Sequence, residues 1–425
     1  MGLESCQRNS HLRLVVHDFA GYAFPVQLSR ELAARGHCVL HLSAGGLPGP
    51  KGKVQAEAGD GPGLAVRTVG LSQRFRKYSP WRRLVTQRRY ARDVEAILEQ
   101  EKPDAVLSGD TPVDVQARLL RFCRRRGIGF AHWVQDDYSA ALEFLLRRRI
   151  GVAAGLAVSP FRWLDGWVAR NSDAVVSISP GFVPRLRHLG ARSESLSVIE
   201  NWAPLEEVPL MPQRNAWSES LGLDGKPVFL YAGSMGLKHR PDRIYSLAKA
   251  LAGEARVVVV SEGVGRQYLA SQPALGNLTL VDFQPYERLP EILATADVLV
   301  ATLEEDAGAF AVPSKVLTYL CAGRPVLLTA PIENLAAETV RRSGGGIVVG
   351  PDDSNGWIDA ARKLADDAEL RNRLGARARQ YAEATFDIEK IADRFEAVLI
   401  GAAERRFHDS PQALRDSAPS AVAPR

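Results

Sequence analysis

Four cysteines and three methionines are all the sulfur in 425 residues, and the absences exclude a good deal. Cys6, Cys38, Cys123 and Cys321 are scattered, form no Cys-x-x-Cys pair and fit a reducing compartment better than a disulfide framework. No charged-then-apolar signal opens the chain, and "MGLESC" misses the myristoylation pattern because Cys6 stands where Ser or Thr is required. The longest apolar run, "IGVAAGLAVSPF" from Ile150, is about half of what a bilayer-spanning helix needs and is interrupted by Pro160. The chain therefore reads as cytosolic. His-Glu-x-x-His, Gly-x-Ser-x-Gly, the Gly-x-x-x-x-Gly-Lys-Ser/Thr phosphate loop and Gly-x-Gly-x-x-Gly are all missing. Zinc hydrolysis, the usual serine hydrolase, a P-loop ATPase and a simple nicotinamide dehydrogenase lose ground accordingly.

With 46% hydrophobic and 24% charged residues, the chain is ordinary globular material, long enough for about two domains of roughly 200 residues each. A net charge of +5 and a pI near 9.0 point mildly to an anionic partner. The charge is concentrated in "RFRKYSPWRRLVTQRRYARD", which sets Arg74, Arg76, Lys77, Arg82, Arg83, Arg88, Arg89 and Arg92 around Tyr78, Trp81 and Tyr90. Two readings stand: a solvated basic face, or attachment of Arg74–Arg92 to an anionic membrane surface. No nucleic-acid motif accompanies the charge.

Short β-branched runs alternate with helical patterns throughout, the rhythm of parallel α/β sheets. The first series is "LRLVV", "CVLHL", "LAVRTV", "DAVLS", "IGFAHWV" and "DAVVSIS", and it ends near Asn201. "NWAPLEEVPLMPQRNAW", proline-punctuated and without period, marks a linker over 201–217. A second series follows: "PVFLYAG", "ARVVVVS", "NLTLVDF", "DVLVATL", "PVLLTA" and "GIVVG", then helices over roughly Leu370–Ala384 and Ile388–Ala403. The expected architecture is two Rossmann-like, doubly wound α/β domains, 1–200 and 218–403, facing a central cleft. The last helix is placed to pack back on the N-terminal domain, and 404–425 reads as a disordered tail.

Two glycine- and lysine-bearing helix starts follow strands of the second series. In "YAGSMGLKHRPD" a buried strand runs into Gly233, Ser234, Gly236 and Lys238, where free amides and a lysine make an anion site. In "AVPSKVLTYL" Pro313 suits the first helical position and Ser314 can satisfy a free amide. Lys315 adds positive charge to an already positive helix end, which favours a bound anion over a lysine that snorkels to solvent. In the first series "FAHWVQDDYSAAL" leaves His132, Asp136 and Asp137 at the carboxyl end of a strand. A carboxylate there suits general-base work, or it caps the following helix, as Asp137 and Asp136 both could. His17 and Asp18, after the first strand, are a second candidate pair.

Taken together, "YAGSMGLKHRPD", "SEGVG", "FQPYERLPEILATADVLVATLEEDAGAFAVPSKVLTYLCAGRPVLLT" and "ENLAAETVRRSGGGIVV" resemble the nucleotide-sugar half of glycosyltransferase family 4, retaining enzymes of GT-B fold, of the colanic-acid and exopolysaccharide type. "HDFAGYAFPVQLSRELAARGHCVLHL" and "VIENWAPLEEV" resemble the same family's acceptor half and linker. The resemblance implies that Gly233, Ser234, Gly236, Lys238, Ser314 and Lys315 hold a donor diphosphate, with Glu262 and Gly263 beside the nucleotide. It implies an acceptor site drawn from His17, Asp18, Gly21, His132 and Asp136, with Asp136, Lys238 and Lys315 in the catalytic roles. Many members carry two glutamates eight positions apart; here Phe310 and Thr318 stand there, with Glu304, Glu305 and Asp306 nearby. The expected activity is transfer of a sugar from a nucleotide-diphosphate-sugar to a saccharide or lipid-linked saccharide, without cofactor or metal, in a cytoplasmic protein peripheral on the inner face of the cell membrane. The absence of Asp-x-Asp argues against the metal-clamped single-domain type. A nucleotide-sugar epimerase or hydrolase of the same fold, and a non-catalytic sugar-nucleotide-binding protein, are the alternatives.

Overall fold

The computed structural model describes residues 11–45, 52–70, 80–223, 225–236, 239–304 and 314–408, and the chain divides into two units. In the first unit β1 (Arg13–Asp18), β2 (Cys38–Ala44), β3 (Leu64–Val69), β4 (Ala105–Gly109), β5 (Gly129–Val134), β6 (Ala174–Ser177) and β7 (Leu196–Val198) form a sheet in the order β3-β2-β1-β4-β5-β6-β7. All its pairings are parallel, with Val15 opposite Leu40 on one side and Val106 on the other. The connections carry α1 (Ala23–Ala34), α2 (Pro80–Glu101), α3 (Val113–Arg126), α4 (Tyr138–Ile150), α5 (Ala154–Asn171) and α6 (Val183–His188). Leu14, Val15 and Val16 are fully buried, as an uninterrupted apolar run in a strand covered on both faces must be.

The second unit, Asn201–Asp387, repeats the plan. Its strands β8 (Val228–Ala232), β9 (Arg256–Val260), β10 (Leu278–Val281), β11 (Val298–Thr302), β12 (Val326–Thr329) and β13 (Gly346–Val349) take the order β10-β9-β8-β11-β12-β13, all parallel. Its helices are α7 (Ala216–Ser220), α8 (Pro241–Ala250), α9 (Val264–Ser271), α10 (Leu289–Ala294), α11 (Lys315–Cys321), α12 (Leu335–Ser343), α13 (Ser354–Asp366) and α14 (Ala368–Thr385). In each sheet the order reverses beside one central strand, between β1 and β4 and between β8 and β11. There successive helices cross to opposite faces and leave a crevice at the carboxyl ends.

The chain then returns to the first unit as α15 (Ile388–His408). A Cβ on Gly129 would lie 2.6 Å from the Ala402 carbonyl oxygen, so only glycine lets this helix lie on β5. Near its end Arg406 makes a two-pronged pair with Asp173, at 2.9 Å on each prong, and both side chains are buried. Asp173 also accepts the Phe130 N–H at 2.9 Å. That pair carries the helix past Ala403, where the sequence pattern ended it, to His408.

Four other local readings are corrected. Pro160 does not interrupt the apolar run: α5 continues through it, because the proline is exposed and water can satisfy the carbonyl it leaves without an N–H partner. The α4–α5 pair and β7 have no counterpart in the strand and helix pattern read from the sequence. Tyr90, grouped with the basic segment, is buried against Phe19 and His17, whereas Arg88, Arg89 and Arg92 on the same helix are exposed. Arg74, Arg76, Lys77 and Tyr78 lie outside the described residues. Among the cysteines, Cys123 and Cys321 are free and buried but Cys38 is disulfide-bonded, since Cβ geometry and not sequence spacing decides pairing. No helix among the described residues is long and apolar enough to cross a membrane.

Removing one partner of a buried, hydrogen-bonded pair leaves the other charge uncompensated. Arg406→Ala should therefore lower the unfolding free energy by about 3 kcal/mol in urea titrations. Arg126→Ala, which breaks the half-exposed pair with Glu99, should change it by less than about 1 kcal/mol. Equal effects would mean that the α15 anchor is not electrostatic.

Candidate active site

In the second unit the crevice lies where β8 ends. Gly233 follows β8 with φ +125°, a conformation that side chains resist, and a Cβ there would sit 3.4 Å from the Lys315 Nζ. Lys315, the first residue of α11, thus reaches across from beyond β11 to lie over Gly233. Its ammonium donates to the Tyr231 hydroxyl and stands 3.7 Å from that ring's centroid. Tyr231 in turn donates to the Ser234 carbonyl at 2.9 Å. Burial holds the Tyr231 phenol well above its usual pKa, so it stays a neutral hydrogen-bonding partner to the lysine. Tyr319, one turn on, accepts from the Ala232 N–H at 2.9 Å and donates to its carbonyl at 3.0 Å, which locks α11 to the end of β8.

The loop after β8 is tied on both sides. The Met235 N–H donates to the Glu262 carbonyl at 3.0 Å, and the Gly265 N–H to the Met235 carbonyl at 2.8 Å. The Gly236 N–H donates to His239 Nδ1 at 3.0 Å, and the His239 carbonyl accepts from Thr302 at the end of β11. Gly233, Lys315 and Thr318 share the lining of a cavity of about 140 Å³ with Tyr319, Pro285 and Tyr286. Ser234, Glu262, Gly263 and Ser314 are exposed nearby in sequence but do not line it. Lys238, Glu305, Asp306 and Phe310 lie outside the described residues. Tyr231 and Tyr319 carry no motif of their own; only their position at a strand's end and one turn into the next helix marks them.

In the first unit a cavity of about 350 Å³ opens at the carboxyl ends of β4 and β5. Asp136, exposed, lines it together with Asp110, Thr111, His132, Asp137, Asp165 and Arg185, over apolar walls from Phe19, Trp133, Tyr138 and Phe182. Asp110 has φ +50°, a strained value for a side-chain-bearing residue just past a strand. The neighbouring Tyr22 phenol is held above its usual range first by the Asp110 charge, with Asp18 and Asp136 adding to it. Asp137 is the helix cap of the two carboxylates: it accepts from the Ala140 N–H at 3.1 Å and from Arg185 Nε at 3.1 Å. His132 Nδ1 is buried without a hydrogen-bond partner, and burial pulls the imidazole down to about 4, so the ring is neutral at pH 7.

His17 and Asp18 are corrections. Neither they nor Gly21 line this cavity. His17 points inward, 2.8 Å from both Ser108 Oγ and Tyr90 Oη, and burial lowers it to about 3, so it is a weak base whose two ring nitrogens are already engaged inside the unit. Asp18 accepts the Ala20 and Tyr22 N–H groups at 3.1 and 2.6 Å and so holds the turn containing Gly21. Asp110, Thr111, Asp165 and Arg185 were not anticipated. Asp110 alone left a signal, as the residue after a strand run at the point where the sheet order reverses.

Two parallel-sheet units of this plan, each with a crevice at its order reversal, define a GT-B-type protein. Residues 24–202 match the family described as glycosyl transferase 4-like domain, and residues 213–381 match glycosyl transferases group 1. The chain belongs to the GT-B glycosyltransferases of the family 4 type. It is 25% identical over 233 residues to the putative colanic acid biosynthesis glycosyl transferase WcaI of Escherichia coli, covering 53% of this chain and 56% of that one. The chain spans about half the length of the curated relatives it matches. Among solved structures, sucrose-phosphate synthase from Thermosynechococcus elongatus superposes with a TM-score of 0.70 at 17% identity, over 94% of this chain and 100% of that one. Anabaena HepE in complex with UDP-glucose gives 0.63 at 14% identity, over 92% and 99%.

Burial is the main reason that the Asp165 carboxyl is pushed up to about 6. Its native pKa then lies above the unfolded value of about 3.9, so the native state takes up the proton first and stability falls as pH rises from about 4 to 6. At pH 7 the ionised group costs about 2 to 3 kcal/mol. Asp165→Asn keeps an oxygen for the Ser139 N–H and should be more stable than the wild type by about 2 kcal/mol at pH 7 but equal to it near pH 4. Urea titrations at the two pH values decide; a difference that does not change with pH would show that the carboxylate's charge is not the cause.

Proposed function

We propose that this chain transfers a glycosyl group from a nucleotide-diphosphate-sugar to a saccharide hydroxyl, with retention of configuration and without cofactor or metal. The observation that carries this reading is Lys315 lying over Gly233 where the order of the second sheet reverses. A cation beside exposed backbone at the carboxyl ends of parallel strands suits a diphosphate, whose developing charge as leaving group it would stabilise. Lys238 would add a second positive charge. The HepE structures hold UDP or UDP-glucose and WcaI is named for colanic acid biosynthesis; both support a nucleotide-sugar donor and a cell-surface polysaccharide product.

In the first unit Asp136 is the acceptor base of this proposal. It is exposed on the cavity wall, whereas Asp137 is held as a helix cap and Asp18 in a turn. For retention, the acceptor's oxygen bonds to the anomeric carbon on the same face from which the diphosphate departs, the bond to the diphosphate breaks, and the hydroxyl proton passes to Asp136. We place the protein at the cytoplasmic face of a membrane, on a lipid-linked saccharide acceptor, with the basic segment Arg74–Arg92 toward anionic lipid.

A thermal-shift screen against nucleotide diphosphates and their sugars tests the donor class, since a ligand of the native state raises its stability; a flat response to all of them would overturn the transfer reading. In Lys315→Ala the loss of a charge-assisted contact should weaken nucleotide-sugar binding roughly tenfold to over a hundredfold by calorimetry. Wild-type affinity in the folded variant would take Lys315 out of the donor site. Asp136→Asn should bind donor nearly as the wild type does and lose a factor of about 100 to 10,000 in turnover; unchanged turnover would move the base to another group.

A further inference from the structure

One apolar surface belongs to neither cavity. α4 and α5 pack against each other and are joined by a tight turn at Gly151–Ala153. Around that turn Val152 is 97% exposed, Leu156 81%, Trp163 58% and Ile150 47%, and Val152 and Leu156 are the most exposed large apolar side chains among the described residues. On α5, Leu156, Pro160 and Trp163 follow at the fourth and third residue in turn, so they share one face, and all three are exposed. The opposite face is already occupied: Val158 and Val168 are buried and Phe161 packs on the core, and one turn beyond Trp163 the stripe itself runs into the core at Trp167. The outer stripe is therefore not required to fold the unit.

The segment that carries it is cationic in sequence. Between Tyr138 and Asn171 the sequence has Arg147 to Arg149, Arg162 and Arg170 against only Glu143 and Asp165. Glu143 is paired with both Arg147 and Arg162, and Asp165 lines the cavity. An exposed apolar turn and stripe ending in a tryptophan, in a sequence segment with net positive charge, matches an anionic bilayer, whose acyl boundary takes the apolar side chains while its headgroups attract the charge.

We propose that the tip of the α4–α5 pair inserts into an anionic membrane surface, an apolar anchor that the first unit needs for attachment in addition to its basic segment. Along α5, Leu156 and Asp165 are separated by about 14 Å at the helical rise, so an inserted tip holds the cavity that contains Asp136 within a short reach of the headgroups. That last step rests on the lipid-linked acceptor proposed above; the insertion itself rests only on the exposed stripe and its charge.

The test is co-sedimentation of the full chain with vesicles of phosphatidylglycerol and phosphatidylcholine, and with phosphatidylcholine alone. The wild type should bind the anionic vesicles, and Leu156→Ser combined with Trp163→Ser should weaken that partitioning by at least about tenfold. Brominated lipid should quench part of the tryptophan emission of the wild type, and Trp163→Phe should abolish that part. Undiminished sedimentation of the folded double variant would overturn the proposal. So would loss of binding in a variant with Arg82, Arg83, Arg88 and Arg89 changed to Ser while the double variant still binds, an outcome that assigns attachment to the basic segment. A wild type that ignores vesicles but falls from dimer to monomer by light scattering in the double variant would also overturn it, in favour of a second copy. Soluble nucleotide-sugar titrated into the double variant keeps the readings apart: donor affinity as in the wild type with vesicle binding retained defeats only the insertion, and absent donor binding with vesicle binding lost on mutation defeats only the transfer reading.

Discussion

A parallel sheet cannot be closed by hairpins, and this constraint governs both units. Each strand must be re-entered from the same end, so every connection crosses the sheet and every loop that leaves a carboxyl end gathers on one edge. Where the order reverses, at β1 and β4 and again at β8 and β11, the crossing helices diverge and leave room between loops. Lys315 can lie over Gly233, and Asp136 can stand on a cavity wall with Asp110, because the topology brings the ends of separate strands to one place. Gly233, Asp110 and Asp136 stand just past the strands, while the strands themselves are near-continuous apolar runs.

The burial that stabilises these sheets also selects which polar groups remain available. His17, one residue before the end of β1, is drawn into the interior, where desolvation lowers its pKa and Ser108 and Tyr90 take both ring nitrogens. Asp18, the next residue, is buried too but meets two backbone N–H groups and becomes part of a turn. Asp137 and Asp136 differ by one position, yet one is a helix cap bound to Arg185 and the other reaches solvent. Asp165, half-buried beneath the same cavity, is pushed up to about 6. Four carboxylates of one residue type thus take four roles, separated by how much water and how many donors each one meets.

The return of α15 to the first unit makes the domain division discontinuous in sequence. Its contacts are of the kind that tolerate little change: Gly129 beneath Ala402, Phe395 edge-on to Trp133 at 4.8 Å, and the buried Arg406–Asp173 pair. Arg35 and His37 reach it from the opposite side through Glu396. The first unit is therefore completed only by residues that follow the second unit in sequence.

Local pattern was enough to read the two α/β series and their strand runs from Leu12 to Val349, because strand runs are properties of a few neighbouring positions. It did not reach the α4–α5 pair, whose apolar faces on both sides show no single period, nor the extension of α15 to His408, which hangs on an aspartate 233 positions away. Tyr90 looked like part of a basic surface and is core; His17 looked like a site residue and is held by partners 91 and 73 positions along the chain. Which polar side chains face water, which cap a helix and which line a cavity depends on contacts between residues far apart in sequence, and such contacts exist only once the sheets have closed.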